Sequence, residues 1–83
     1  MNTLFLLMAE HETAIVPLEI IASKYLGLDK RQASVKANTA SLPFPAFRGE
    51  SQKTPWLVSL VDVAKWLDKQ RETALKDYQN MNS

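Results

Sequence analysis

A short break between two helix-forming stretches most constrains the fold of this chain. Before the break, apolar residues recur at helical spacing, at Leu18, Ile21, Ala22 and Tyr25. Gly27 suits the left-handed residue that ends a helix, and Asp29 is a favourable N-cap for the helix that follows. Because a short connection containing glycine is typical of the helix-turn-helix motif, the spacing predicts that motif over residues 17–39.

The third helix, predicted from Lys30 to about Thr39, has two unlike faces. Ala33 and Ala37 lie four residues apart and allow close packing on the second helix, which we expect to begin at Pro17. The opposite face is polar and basic and suits the major groove of double-stranded DNA, where Arg and Asn bond base edges and Val contacts a thymine methyl group. Its candidate DNA-binding residues are Lys30, Arg31, Gln32, Ser34, Val35, Lys36 and Asn38.

Charge is unevenly distributed, although the net charge is only +1. Residues 1–23 carry three acids and no bases, and residues 54–83 carry four of each. Residues 24–53 carry six bases and two acids. Positive charge is therefore concentrated in the middle third, as expected where a protein binds a polyanion. A basic helix face that is merely solvated is the alternative interpretation.

A hairpin is predicted after the third helix, which a Leu-Pro-Phe-Pro segment ends. Two short strands flank a polar turn, which indicates a wing over residues 44–58. We expect Arg48 and Lys53 to contact DNA phosphates, which position a protein on the duplex. Ser51 and Gln52 are candidates for the minor groove or the backbone. The alternative is that these side chains only cap the hairpin.

Helices are also predicted at both ends of the chain. The first covers residues 3–11 with Thr3 as a possible N-cap, and the last covers residues 59–80, starting at Ser59 in a Ser-x-x-Asp arrangement. Either helix offers a surface for a homodimer, and the first helix can instead form a core layer beneath the second. The two tryptophans are expected in the core or an interface rather than stacked on bases.

Composition excludes several classes of function. The chain has no cysteine and one histidine, His11, so the usual zinc sites are not expected. We find no nucleophile–base pair and no glycine-rich phosphate loop, so neither an enzyme nor a cofactor is expected. The apolar run 4–9 is too short to span a bilayer, so no membrane partner is expected. The absence of cysteine favours a reducing cytoplasm.

The predicted element order resembles the excisionase and MerR-like winged helix-turn-helix group. Four parts of the chain carry a narrower resemblance: Asn2–Ala9, Tyr25–Leu28, Leu42–Arg48 and, most strongly, Ser51–Lys53 followed by Pro55–Val58. In these segments the chain resembles the pyocin activator protein family (PrtN-like). The expected fold is a single domain over residues 1–83, mainly α with a small β-hairpin.

The resemblance implies a sequence-specific transcriptional activator of a bacteriocin or prophage-type gene cluster. Such a protein would act in the bacterial cytoplasm at the nucleoid, with RNA polymerase as a second partner. One departure is Ala40, because the group usually has glycine before the Leu-Pro pair. Either Ala40 accepts a strained left-handed conformation, or Asn38 adopts it instead.

Two other functions remain open at this stage. An excisionase-like architectural protein that bends DNA would share the fold and the contacts. A protein-interaction module would use the apolar first helix and the last helix, and its basic face would be incidental.

Overall fold

The computed structural model describes residues 2–49 and 54–81 and is mainly helical. The elements in chain order are α1 (Thr3–His11), β1 (Ile15–Pro17), α2 (Leu18–Ile21) with a π-helical segment (Ala22–Leu26), α3 (Lys30–Asn38), β2 (Leu57–Ser59) and α4 (Leu60–Met81). The two strands form a small antiparallel sheet. This architecture confirms the mainly α class with a small β component and is compatible with a winged helix-turn-helix.

The helix-turn-helix region begins one residue later than predicted. Pro17 ends β1 instead of starting a helix, and its missing N–H is tolerated because β1 is an edge strand of the two-stranded sheet. After the π-helical segment, Gly27 adopts a left-handed φ of 66°, as expected for a residue that ends a helix. Asp29 then caps α3, which confirms the predicted N-cap.

The sheet differs from the predicted hairpin. β1 pairs with β2, so that Val16 lies opposite Val58 and Pro17 opposite Leu57. On its other side, Leu57 forms one bridge with Phe47, through N–H···O bonds of 2.9 and 2.7 Å. The described part of the wing therefore has a single backbone bridge. The longer partner of β2 is β1, which includes Pro17, where we expected the second helix to begin.

The left-handed residue after α3 is Ala40, with a φ of 53°, and not Asn38, which remains helical. The turn satisfies carbonyl groups at the end of the helix, because the Ser41 N–H donates to the Lys36 carbonyl at 2.8 Å. The hydrogen bonds of this turn hold Ala40 in a conformation that disfavours a Cβ atom.

Replacing Ala40 with glycine is expected to raise the free energy of unfolding by about 1 kcal/mol, because glycine has no Cβ to clash at positive φ. Ala9→Gly, at an exposed position of α1, is the control and should lower the free energy of unfolding by up to about 1 kcal/mol. Urea denaturation of both variants measures the change. A loss of stability in Ala40→Gly would contradict the strain at this position.

α1 packs antiparallel against the first half of α4, and its buried Leu7 belongs to the core that also contains residues of α2. Its N-cap is Asn2, whose Oδ1 accepts from the Phe5 N–H at 3.2 Å. The predicted cap, Thr3, instead donates its hydroxyl to Asp68 of α4. Ser59, predicted as the first residue of the last helix, is instead the last residue of β2 and precedes α4. Its Oγ accepts from the Val61 N–H at 3.2 Å and so caps the start of α4.

An ion pair joins α1 to the π-helical segment. The Nζ of Lys24 donates to Glu10, and this hydrogen bond lowers the pKa of Glu10 and raises that of Lys24. Both side chains are exposed, so the pair contributes little to stability. The pair does show that α1 lies beside the π-helical segment.

The core lies between α1, the sheet, the helix-turn-helix region and the first half of α4. Its buried members are Leu7, Val16, Leu18, Ile21, Ala22, Ala33, Phe44, Val58, Leu60, Val63 and Ala64. Trp56 and Trp66 pack against this core, as expected, and Trp66 meets Phe44 edge-on with ring centroids 5.6 Å apart. Among the described residues, no helix has both the length and the apolar character of a membrane span.

Candidate nucleic-acid interface

The two predicted faces of α3 are present in the structure. Ala33 is buried and Ala37 is half-buried against the core, so small side chains let α3 approach the second helix. The opposite face is exposed, and even the apolar Val35 has 56% of its surface accessible. The exposed candidates are Lys30, Arg31, Gln32, Val35, Lys36 and Asn38, while Ser34 is half-buried.

Three exposed residues form a straight row along α3. Arg31, Val35 and Asn38 follow one another at spacings of four and three residues, which places them on one side of a helix. Lys30 and Lys36 flank this row. The row therefore offers a guanidinium group, an apolar side chain and an amide within about 10.5 Å along the helix axis.

The first turn of α3 uses one of the candidate residues for its own cap. Gln32 donates its backbone N–H to the Asp29 carboxylate at 2.8 Å, and the Gln32 Oε1 accepts from the Asp29 N–H at 3.0 Å. This capping box satisfies two N–H groups at the start of the helix. The side-chain amide oxygen of Gln32 is therefore held at the cap, and the NH₂ group of the same amide remains as a donor.

Arg48 connects the base of the wing to the end of α3. Its Nη2 donates to the Asn38 Oδ1 at 3.2 Å, and its guanidinium carbon lies 4.1 Å from the centre of the Trp56 ring. The Arg48 side chain is half-buried by these neighbours. Two candidate DNA-binding residues, Asn38 and Arg48, are thus in direct contact.

Sequence interpretation missed this contact and the role of Trp56. The residues are distant in the chain, but the bridge between Phe47 and Leu57 places Arg48 opposite Trp56 across the wing. Arginine on an aromatic ring is a favourable cross-strand pair. The pairing register of the wing, with Phe47 opposite Leu57, is the signal that would have revealed the pair.

A cleft of about 340 Å³ lies between α3, the second helix and the base of the wing. It is lined by Leu18, Glu19, Lys30, Ala33, Ser34, Arg48, Thr54, Pro55 and Trp56. The Nζ of Lys30 lies 3.8 Å from the Glu19 carboxylate, which partly balances the charge of Lys30. A second, shallower depression of about 390 Å³ follows the outer face of α3, between Arg31 and Ser41.

Part of the predicted interface lies outside the described residues. Ser51, Gln52 and Lys53, which the sequence predicts at the tip of a wing, are not among the described residues, so their DNA contacts stay predictions from the sequence. Over residues 2–49 and 54–81, no three His, Cys, Asp or Glu side chains are grouped as a metal site would require.

Comparison with known proteins supports the resemblance seen in the sequence. A family model described as "Pyocin activator protein PrtN" matches residues 3–74. The match extends from the start of α1 into the second half of α4 and includes all of α3 and the base of the wing. No curated protein and no solved structure gives a significant match. Because the family model covers most of its length, this chain belongs to the pyocin activator protein family, whose members have a regulatory role as activators of pyocin genes.

Proposed function

We propose that the protein is a sequence-specific DNA-binding transcriptional activator of a pyocin-type gene cluster, acting in the bacterial cytoplasm and having no enzymatic activity. Family membership supports the regulatory role. The observation that carries the DNA-binding proposal is the exposed row Arg31, Val35 and Asn38 on a helix whose opposite face is packed on the core.

The chemistry of this row matches the edges of bases in the major groove. A helix fits this groove, and the row spans the length of about three base-pair steps. Arg31 can bond the two acceptors of guanine, Val35 can contact a thymine methyl group and Asn38 can bond adenine. Lys30 and Lys36 lie beside the row, where they can contact the phosphates on either side.

Selection from a random duplex library at two salt concentrations tests this function. We expect an enriched motif, and affinity that falls steeply as salt rises, because each phosphate contact releases counterions. A promoter reporter carrying the motif should then be activated without any recombinase. Salt-sensitive binding without enrichment would instead support an architectural protein, and absence of binding would support a protein-interaction module.

A second copy of the chain is the partner that we propose for α4. Beyond Leu67, every described residue of this helix is exposed, including the apolar Leu75 and Met81. An isolated helical stretch of this length is marginally stable in water, and a second helix would support it. Residues 68–81 carry three acids and three bases, so two copies would not repel each other.

RNA polymerase is a further proposed partner, because activation of transcription requires its recruitment or repositioning.

Leu75→Glu is expected to convert a dimer into a monomer, because Leu75 is 54% exposed on the free half of α4 and a buried carboxylate would oppose association. Thr73→Glu adds the same charge at an exposed position on the opposite side of this half and should leave the dimer intact. Sedimentation velocity measures the mass of each variant. A monomeric wild-type protein that binds an undivided motif would contradict the dimer.

A further inference from the structure

The contact between Arg48 and Asn38 has a chemical direction. Arg48 has only N–H donors, so the oxygen of the Asn38 amide must face it, as the 3.2 Å bond from Nη2 to Oδ1 shows. The NH₂ end of the Asn38 amide is then turned away from Arg48. Without such a neighbour, an exposed Asn amide can rotate and exchange its donor and acceptor ends.

Base recognition depends on which end of the amide faces which atom. Adenine presents an N6 amino donor and an N7 acceptor in the major groove, and it needs both the oxygen and the NH₂ group of an Asn. Guanine presents two acceptors, O6 and N7, and needs donors only. An amide oxygen has two lone pairs, so the Asn38 Oδ1 can accept from Arg48 and from adenine N6 together.

Arg48 is itself held in place by Trp56. The guanidinium group lies over the indole ring at 4.1 Å, and the bridge between Phe47 and Leu57 holds together the two segments that carry the pair. The guanidinium also lies at the C-terminal end of α3, where positive charge is favourable. The half-buried cation is therefore positioned by protein groups and directed at Asn38.

We infer that Arg48, stacked on Trp56, is a positioning residue that fixes the amide of Asn38 for adenine and so sets specificity at one base pair. The inference rests on the proposed DNA-binding function and deepens it. It assigns Arg48 a role different from the phosphate contact expected from the sequence. A phosphate contact depends on charge alone, whereas positioning depends on the planar shape of the guanidinium group.

Arg48→Lys separates these two roles, because lysine keeps the charge but loses the planar guanidinium group over Trp56 and its directed N–H group. The probe is the duplex that the wild-type protein enriches from a random library, with its single-base variants. Asn38→Ala identifies the base pair that Asn38 recognises. At that base pair, Arg48→Lys is expected to reduce the preference for adenine over guanine by at least about fivefold, with an unchanged salt slope.

A double variant provides the control for coupling. In the Asn38→Ala background, Arg48→Lys should cause no further loss of preference at that base pair, since its effect passes through Asn38. Lys36→Ala is the matched charge control and should weaken all duplexes alike. Thermal melting shows whether each variant is folded. Trp56→Phe keeps an aromatic ring under Arg48 and should retain more of the preference for adenine over guanine than Arg48→Lys does.

If the wild-type protein enriches a duplex, two outcomes would overturn the positioning role of Arg48 and leave the proposed DNA-binding function in place. One is an Arg48→Lys variant that retains the wild-type preference, with Arg48→Ala weakening all duplexes and lowering the salt slope by about one, as a phosphate contact requires. The other is an Asn38→Ala variant with unchanged preference at every position. A wild-type protein that enriches no duplex would refute the proposed function, and this inference with it.

Discussion

Replacing Ile21 with alanine is expected to lower the free energy of unfolding by about 2–5 kcal/mol. Ile21 is fully buried in α2, within the core that α2, α3 and α4 share, so the smaller side chain leaves a cavity there. Domains are stable by only about 5–15 kcal/mol, and a chain of 83 residues buries less surface than a larger one. The variant is therefore expected to be partly unfolded at growth temperature.

Ile20→Ala is the matched control, because the same substitution occurs one residue earlier at a side chain that is 44% exposed. It should change the free energy of unfolding much less, since the removed atoms keep part of their contact with water in both states. Urea denaturation measures the midpoint of unfolding for each variant, and an unchanged dependence of the free energy on urea concentration shows that the difference is one of stability. Equal losses in the two variants would show that the second helix does not bury the face described here.

Replacing Arg31 with alanine is expected to weaken binding to the preferred duplex by about 1–3 kcal/mol and to relax specificity at one base pair. Arg31 starts the exposed row on α3, where a guanidinium group can bond two acceptors of guanine at once. Loss of this pair removes discrimination at that base but leaves the other contacts intact. Fluorescence titration with the preferred duplex and its single-base variants measures both effects.

Lys36→Ala is the control for charge, because Lys36 is exposed at the edge of the same helix and carries one positive charge, as Arg31 does. It should weaken binding to every duplex alike and lower the salt slope by about one. The sequence predicts the same uniform loss for Lys53→Ala at the wing. If Arg31→Ala behaved as Lys36→Ala does, Arg31 would be a phosphate contact and the assigned orientation of α3 would be wrong.

Sequence patterns were most informative where the signal is local. Gly27 and Asp29 mark the end of one helix and the start of the next because their conformational and hydrogen-bonding preferences act within a few residues. The spacing of Ala33 and Ala37 likewise identified the packed face of α3 from helical periodicity alone. The family could also be recognised at this level, and its model matches residues 3–74.

Local preference misled the prediction at Pro17 and left the choice between Ala40 and Asn38 open at the end of α3. Pro17 suits the first position of a helix, but pairing with Leu57 draws it into β1, a strand too short to show alternation in the sequence. Ala40 has no preference for positive φ, yet the hydrogen bonds that end α3 require a left-handed residue there. At Pro17 a partner that is distant in sequence outweighs a weak local preference, and at Ala40 the hydrogen bonds of the turn itself do so.

By itself, therefore, the sequence determined the mainly helical class, the helix-turn-helix spacing and the polar, basic face of α3, because each follows from interactions among near neighbours in the chain. Only the tertiary structure decided the pairing of β1 with β2 and the contact of Arg48 with Asn38 and Trp56. These features join segments that are distant in sequence. Their geometry depends on strand register and on the packing of the whole core, which no local pattern encodes.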